Sequence, residues 1–436
     1  MSHTVLKIGG SSLSSAERFK QAAKVIRQDP KRNIVVVSAP GKRHPGDEKV
    51  TDLLLSIAEA GGAPEALLSV TIRFKELLQE LQLLELEPVV TETLEEAGRV
   101  ASSPDEISLA FAASRGEYLS ARILAALTGM SFVDATELIR FKEDGTYDEL
   151  ATRLRFAERR IEEPTIIPGY YGLDTHGRIR TFARGGSDIS GAIVAAMTGA
   201  ALYENGTDVS GVYRFNPRMV DKPASIPHMT YPLMREFAYR GAGVFQWDAV
   251  LPLYKANIPT RIFDMGAPDE PGTMIYPAND ERGALTEPIL GVAERTQFAV
   301  FSLHRVGLNA DDTFTLQVLQ VLRAFGLGYE HITTGIDTLS IAIREDELGE
   351  RRPQLAQKLA DTCRADVSCR SDVAIVCVIG SDIGRETFFL GALWQALAAE
   401  SIEPLFFELG ASRTTLIIGI QRSCLKRALT TLASLK

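Results

Sequence analysis

Along the first two-thirds of the chain, short apolar runs alternate with longer stretches in which apolar residues recur every three or four positions. Residues 4–8 (TVLKI) and 33–39 (NIVVVSA) are runs of the first kind, the pattern of strands buried on both faces of a parallel sheet. Between them, Gly9-Gly10-Ser11-Ser12 breaks the run. Ser14 with Glu17 three residues on is a capping-box signal. Phe19, Ala22, Ala23, Val25 and Ile26 then fall at helical spacing. The same reading gives a helix-rich stretch over 52–86 interrupted at Gly61-Gly62-Ala63-Pro64, a long helix over 108–127, and short strands over 131–134 and 164–169. A helix over 192–198, a strand over 200–204 and a late strand of the same sheet over 258–263 complete it. Strands alternating with helices predict an α/β fold, a mainly parallel central sheet covered on both faces.

The pattern changes near residues 280–296, after the turn-rich stretch 266–272 and the polar stretch 277–282. Strands are predicted over 299–303, 329–332 and 338–343, with helices over 312–325 and 353–364. Further strands over 373–379, 405–408 and 414–420 follow, with helices over 386–399 and 423–435. Two rounds of β-α-β-β-α predict two small ferredoxin-like α+β modules. The expected division is 1–285 and 296–436, the latter split at about 296–370 and 371–436.

Charge and cysteines narrow the function class. The 436 residues carry 47 basic and 56 acidic side chains, net −9, with 45% hydrophobic and 24% charged residues. An acidic balance argues against a nucleic-acid partner, which wants a basic face. The basic stretch 153–160 reads as a solvated helix face. Cys363, Cys369, Cys377 and Cys424 form no C-x-x-C pair, and no histidine lies at metal-ligand spacing, so no protein-held metal is expected. The apolar runs are shorter than the roughly 18 residues a membrane span needs. The chain runs directly into its first strand, which predicts a cytoplasmic protein without a membrane partner.

Three motifs carry candidate chemistry. Lys7-Ile8-Gly9-Gly10-Ser11-Ser12 ends a buried strand and opens a helix. Glycines there let backbone N–H groups reach an anion, and the lysine adds a point charge. Arg184-Gly185-Gly186-Ser187-Asp188 sets a guanidinium, a hydroxyl and a carboxylate at another helix start. Gly206-Thr207-Asp208-Val209-Ser210-Gly211-Val212-Tyr213, then Asn216-Pro217-Arg218, is a polar loop suited to closing over a nucleotide. No G-x-x-x-x-G-K-[ST] phosphate loop occurs.

In this order, the motifs resemble those of the aspartate kinases, members of the amino acid kinase superfamily with paired C-terminal ACT domains. Val36-Val37-Ser38-Ala39, Val50-Thr51-Asp52-Leu53-Leu54 and Ser114-Arg115-Gly116-Glu117 also match. The stretch 330–338 (EHITTGIDT) resembles the first ACT module of lysine-regulated members. The resemblance implies transfer of a phosphoryl group from ATP, with Mg²⁺, to L-aspartate, giving 4-phospho-L-aspartate, the first step of aspartate-family amino acid biosynthesis. It makes Lys7 and Asp188 the organisers of the transfer centre. Glu117 would hold the substrate ammonium, Arg184 a carboxylate, and Ser38, Thr51 and Ser187 would line the aspartate site. Lys7, Gly9, Gly10, Ser11, Thr207, Asp208, Tyr213 and Arg218 would contact the nucleotide. Glu330, Thr333 and Thr334 would contact an allosteric amino acid, L-lysine, and the ACT modules would build a homodimer or homotetramer.

One departure stands out. Where family members carry a lysine that approaches ATP, this chain has Gly243, within Gly241-Ala242-Gly243-Val244-Phe245-Gln246-Trp247. Arg218 or Lys222 is the expected substitute charge. The same departure is the one feature favouring a regulatory pseudokinase. Lys7, Glu117, Arg184 and Asp188 together argue against that alternative, since a dead site needs no such set of charges. Kinases acting on acetylglutamate, glutamate, carbamate or UMP are the remaining alternatives, and the predicted tail counts against them.

Overall fold

The computed structural model describes residues 2–59, 64–101, 105–183, 185–240, 247–283, 289–410 and 412–435. They form two compact units: residues 2–212, 225–238 and 247–283 make one, and 213–224, 239–240 and 289–435 the other.

The strands of the first unit are β1 (Thr4–Ile8), β2 (Ile34–Val37), β3 (Ser131–Phe132), β4 (Thr165–Pro168), the hairpin β5 (Tyr171–Leu173) and β6 (Ile179–Thr181), β7 (Leu202–Thr207), β8 (His228–Thr230), β9 (Thr260–Asp264) and β10 (Thr273–Tyr276). All but the hairpin join one sheet in the order β3-β4-β2-β1-β7-β9-β10-β8. It is parallel from β3 to β9, and β10 reverses. The mainly parallel α/β architecture follows from the continuous apolar runs, because β1 and β2 are buried along their whole length. Some of the buried charge here is paired. Glu204 on β7 is held by Arg32 (2.5 and 3.0 Å) and Arg261 (3.0 Å).

Two helices position the site. Glu106–Thr128 is started by Asp105, whose carboxylate accepts from the N–H groups of Ile107 and Ser108, and stopped by Gly129 in the left-handed conformation. Mid-helix, Gly116 allows a close approach: a Cβ there would lie 2.6 Å from the Ala39 Cβ. Gly186–Thr198 begins after Gly185, at φ 82°. The first helix, Ala16–Gln28, is capped by the Ser15 hydroxyl, not by Ser14, the residue that the spacing to Glu17 picked out. Ser14 is buried instead, so its hydroxyl is not the one facing the helix start.

The second unit contains β11 (Ile289–His304), β12 (His331–Thr334), β13 (Thr338–Arg344), β14 (Asp366–Gly380), β15 (Pro404–Leu409) and β16 (Thr415–Gln421). They form an antiparallel sheet in the order β12-β13-β11-β14-β16-β15. Two cores lie on it, one around Phe301, Phe314, Leu339 and Leu359, the other around Val292, Val376, Leu397 and Leu429. The two ferredoxin-like halves are not strictly successive in sequence. Val292, ahead of the expected start at 296, belongs to the C-terminal core, so the long β11 serves both halves. Both β11 and β14 change direction at a left-handed residue, Gln297 and Asp372, and the register between them shifts there. The segment 213–224 joins this unit by laying Phe215, Met219 and Val220 on the C-terminal core. Val292 N–H bonds the Arg214 carbonyl at 2.7 Å, and Asn216 bonds Glu294 at 2.6 Å.

Candidate active site

The carboxyl ends of parallel strands are where a doubly covered α/β sheet places ligands, and the motif residues gather there. Lys7 is the fourth residue of β1 and only 7% exposed. Beyond it, Gly9 N–H donates to the Gly206 carbonyl at 2.9 Å, tying the ends of β1 and β7 together. At Gly10 a Cβ would lie 2.5 Å from the Ala39 carbonyl oxygen, so the turn closes only with glycine. Ser38 N–H donates to the Ile8 carbonyl at 3.1 Å, which holds the end of β2 beside the glycine turn. Ser11 is half-buried in the short turn of helix that follows.

The Lys7 ammonium lies 2.6 Å from Asp188 Oδ1. Asp188 sits in the first turn of Gly186–Thr198, where the helix dipole favours a carboxylate. Its neighbour Ser187 is buried and donates its hydroxyl to the Glu117 carboxyl, which also accepts from the Ala39 N–H. The other Glu117 oxygen, Oε2, is buried without a hydrogen-bond partner. Burial pushes the Glu117 carboxyl up to about 8, against partial relief from those hydrogen bonds and from Arg115. A buried, half-satisfied carboxyl is an unmet demand for a cation.

The segments that bear Ser38, Thr51, Glu117 and Ser187 therefore lie close to one another. Thr51 stands in the first turn of Val50–Glu59, whose Val50 side chain would be 3.2 Å from a Cβ on Gly116. Thr207 and Asp208 follow at the end of β7. The Thr207 hydroxyl reaches Asp208 at 3.2 Å, and the Ser12 hydroxyl reaches the Thr207 carbonyl at 3.4 Å. Arg184, and Gly243 with its neighbours 241–246, lie outside the described residues. Tyr213, Arg218 and Lys222 belong to the second unit.

In that unit Glu330, expected to await a ligand ammonium, is already paired. Arg295 lies 2.6 Å and Arg240 3.7 Å from its carboxylate, and it is 5% exposed at the side chain. The sequence could not show this, because neither arginine is near it along the chain. Thr333 and Thr334 lie on β12, an edge strand.

Two residues of the first unit passed without a role in the sequence reading. Arg115 is buried, with its guanidinium 4.6, 4.9 and 5.4 Å from the rings of Phe111, Tyr118 and Tyr171. An arginine two residues before Glu117 on the same helix was the available signal. Asn205 is the second, an amide inside a buried strand next to β1.

A parallel sheet whose carboxyl end gathers a lysine–carboxylate pair, glycine turns and a buried acid for a cation describes a small-molecule phosphotransferase. The chain belongs to the amino acid kinase family, whose family model matches residues 2–264. Within it the relatives are aspartokinases. The chain is 32% identical to aspartokinase 3 of Bacillus subtilis, over 96% of this chain and 95% of that one. It is 25% identical to the lysine-sensitive aspartokinase 3 of Escherichia coli, over 88% and 90%. The crystal structure of Clostridium acetobutylicum aspartate kinase matches with a TM-score of 0.88 at 30% identity, over all of both chains. The protein is thus an ATP- and Mg²⁺-dependent phosphotransferase with a carboxyl acceptor, and its tail is of the ACT type. Among the described residues, no helix is long and apolar enough to cross a membrane.

Proposed function

We propose that this chain phosphorylates the side-chain carboxylate of L-aspartate, with residues 1–285 catalytic and the ACT region from about 296 regulatory. The observation that carries the reading is Glu117, a buried carboxyl with one oxygen unmet, one hydrogen bond away from the turn that bears Asp188 and its partner Lys7. Glu117 takes the substrate ammonium. Arg184 takes a carboxylate, and Ser38, Thr51 and Ser187 supply neutral hydrogen bonds around the zwitterion. The aspartate side chain is already an anion, so no general base is needed. Its oxygen bonds to the γ-phosphorus as the bond from that phosphorus to the β-γ bridging oxygen breaks, and ADP leaves with the electron pair.

Lys7 lies against the spreading negative charge, and Asp188 holds its ammonium in place. Gly9, Gly10 and Ser11 bring the backbone close to the phosphates, and Thr207 and Asp208 serve the rest of the nucleotide. Mg²⁺ supplies charge neutralisation at the phosphates. An ion carried by phosphate oxygens and water needs few protein ligands. Asp188 and Asp208 are the carboxylates that would hold its water shell.

Glu117 gives this reading a pH signature. Its folded-state value, about 8, lies above the ordinary 4.5. In the ligand-free protein its proton therefore contributes stability that is complete below about pH 4.5 and is lost as pH rises through about 8. An ammonium ligand requires the carboxylate form. Aspartate binding at pH 7 is expected to release close to one proton, read by titration calorimetry in buffers of different ionisation enthalpy. Binding with no proton release at pH 7 contradicts the role of Glu117.

L-lysine is the proposed inhibitor, acting at the ACT region. The support is the similarity to the lysine-sensitive enzyme of Escherichia coli. Since Glu330 is already neutralised by two arginines, the ligand's ammonium must displace Arg295 or find another acceptor, and Glu330→Gln is expected to alter the lysine response only through that exchange. Kinetics unchanged by L-lysine, with no binding heat, overturn the regulatory part. The ACT sheet edges are the proposed homodimer or homotetramer contact, in a cytoplasmic enzyme.

A further inference from the structure

We propose that Asn205 is a positioning residue for Lys7: its side-chain carbonyl takes an ammonium N–H that neither Asp188 nor the phosphoryl group occupies once Mg-ATP is bound. The proposal rests on the reading of Lys7 given above.

Lys7 and Asn205 are paired in register across the parallel strands β1 and β7, so their side chains leave the sheet on the same face. That face is the one covered by Gly186–Thr198. A Cβ on Gly191 of this helix would lie 3.1 Å from the Lys7 Cβ and 2.8 Å from the hydroxyl of Tyr203, two residues before Asn205 on the same side of β7. Asn205 is thus level with Lys7, under the helix that carries Asp188, one residue ahead of the Gly206 carbonyl that the glycine turn binds.

Asn205 is 2% exposed, and its Oδ1 is buried without a hydrogen-bond partner. For the fold this is a liability twice over. Asparagine is a poor strand residue, and a buried acceptor left unmet costs folding free energy. Leucine would fill the same space at no such cost. The site accounts for the amide. A lysine ammonium has three donors, and at 7% exposure little water can serve them. Asp188 balances the ammonium's charge as an ion pair at 2.6 Å, and the transferring phosphoryl group takes a donor. A further acceptor fixes the direction of the ammonium. It has to be neutral, because a second carboxylate would cancel the charge the phosphoryl group needs. A carboxamide meets both conditions.

The test uses the full chain. Asn205→Leu is expected to lower kcat about tenfold to a hundredfold, the range for removing a supporting partner, with the KM for aspartate unchanged and Tm unchanged or raised. In a Lys7→Met background the same substitution is expected to change kcat less than twofold, since the group it positions is gone. A kcat within twofold of the parent, an equal loss in both backgrounds, or a lowered Tm accompanying the loss overturns the proposal. A crystal structure with Mg²⁺ and the β,γ-imido analogue of ATP decides independently of turnover. Oδ1 within about 3 Å of the Lys7 Nζ supports the role, and an amide bonded elsewhere refutes it. If the parent enzyme shows no aspartate-dependent turnover, the functional reading fails on its own while that structure still judges Asn205.

Discussion

Replacing Glu117 with glutamine raises the KM for aspartate by about two to three orders of magnitude and leaves the KM for ATP within a few-fold. The argument is electrostatic. The carboxyl is 4% exposed, on the helix that Gly116 lets approach Ala39 and Val50. An ammonium that enters loses its water and meets one charge of opposite sign. Truncating one partner of a desolvated, hydrogen-bonded pair costs about 3–5 kcal/mol, which is the stated range at 1.4 kcal/mol per factor of ten. Glutamine keeps the size and keeps an acceptor for the Ala39 N–H, so the loss is one of charge alone. Fold and charge are separable in the same variant. Because burial opposes ionisation of the parent carboxyl, Glu117→Gln is expected to be at least as heat-stable as the parent at pH 8 without ligand. Steady-state kinetics and a melting curve check both halves. An unchanged KM for aspartate removes Glu117 from the substrate site.

Lys7→Met is the second large effect, and it falls on kcat. The ammonium is buried and held by Asp188 at 2.6 Å, so it is pre-aimed and needs no reorganisation when charge develops on the phosphoryl group. Losing one such preorganised donor costs about 10²–10³ in kcat, and methionine keeps the length and the apolar stem. The variant also leaves the partly buried Asp188 without its cation, so some loss of stability accompanies it. Asp188→Asn is the companion that separates the two. It keeps the lysine but frees its direction, and a smaller fall in kcat is expected than in Lys7→Met. Equal kcat in parent and Lys7→Met, measured by single turnover, excludes Lys7 from the transfer step.

Much of this site was legible because its chemistry is local in sequence. Lys7 with its two glycines, and Ser187 with Asp188, each occupy one strand-to-helix turn, so the residues that act together are neighbours along the chain. The parallel sheet was equally legible from residues 34–37, whose unbroken apolar run admits few other folds. What escaped depends on contacts between distant segments. Glu330 looked like a free anion, because Arg240 and Arg295 meet it only in three dimensions. The sharing of β11 between two cores is invisible in an apolar run that reads the same either way. The sequence also did not show that Phe215, Met219 and Val220 pack on the C-terminal core. Asn205 carried a signal, an amide inside a buried strand, whose meaning required knowing that Lys7 lies opposite.

The most direct test of the central claim is ADP release from Mg-ATP with L-aspartate, N-acetylglutamate, glutamate, carbamate and UMP offered in parallel. Turnover with L-aspartate alone, abolished at ordinary substrate levels in Glu117→Gln, is the predicted result. Turnover with a different acceptor, or none with any acceptor in a folded protein that still binds nucleotide, contradicts it.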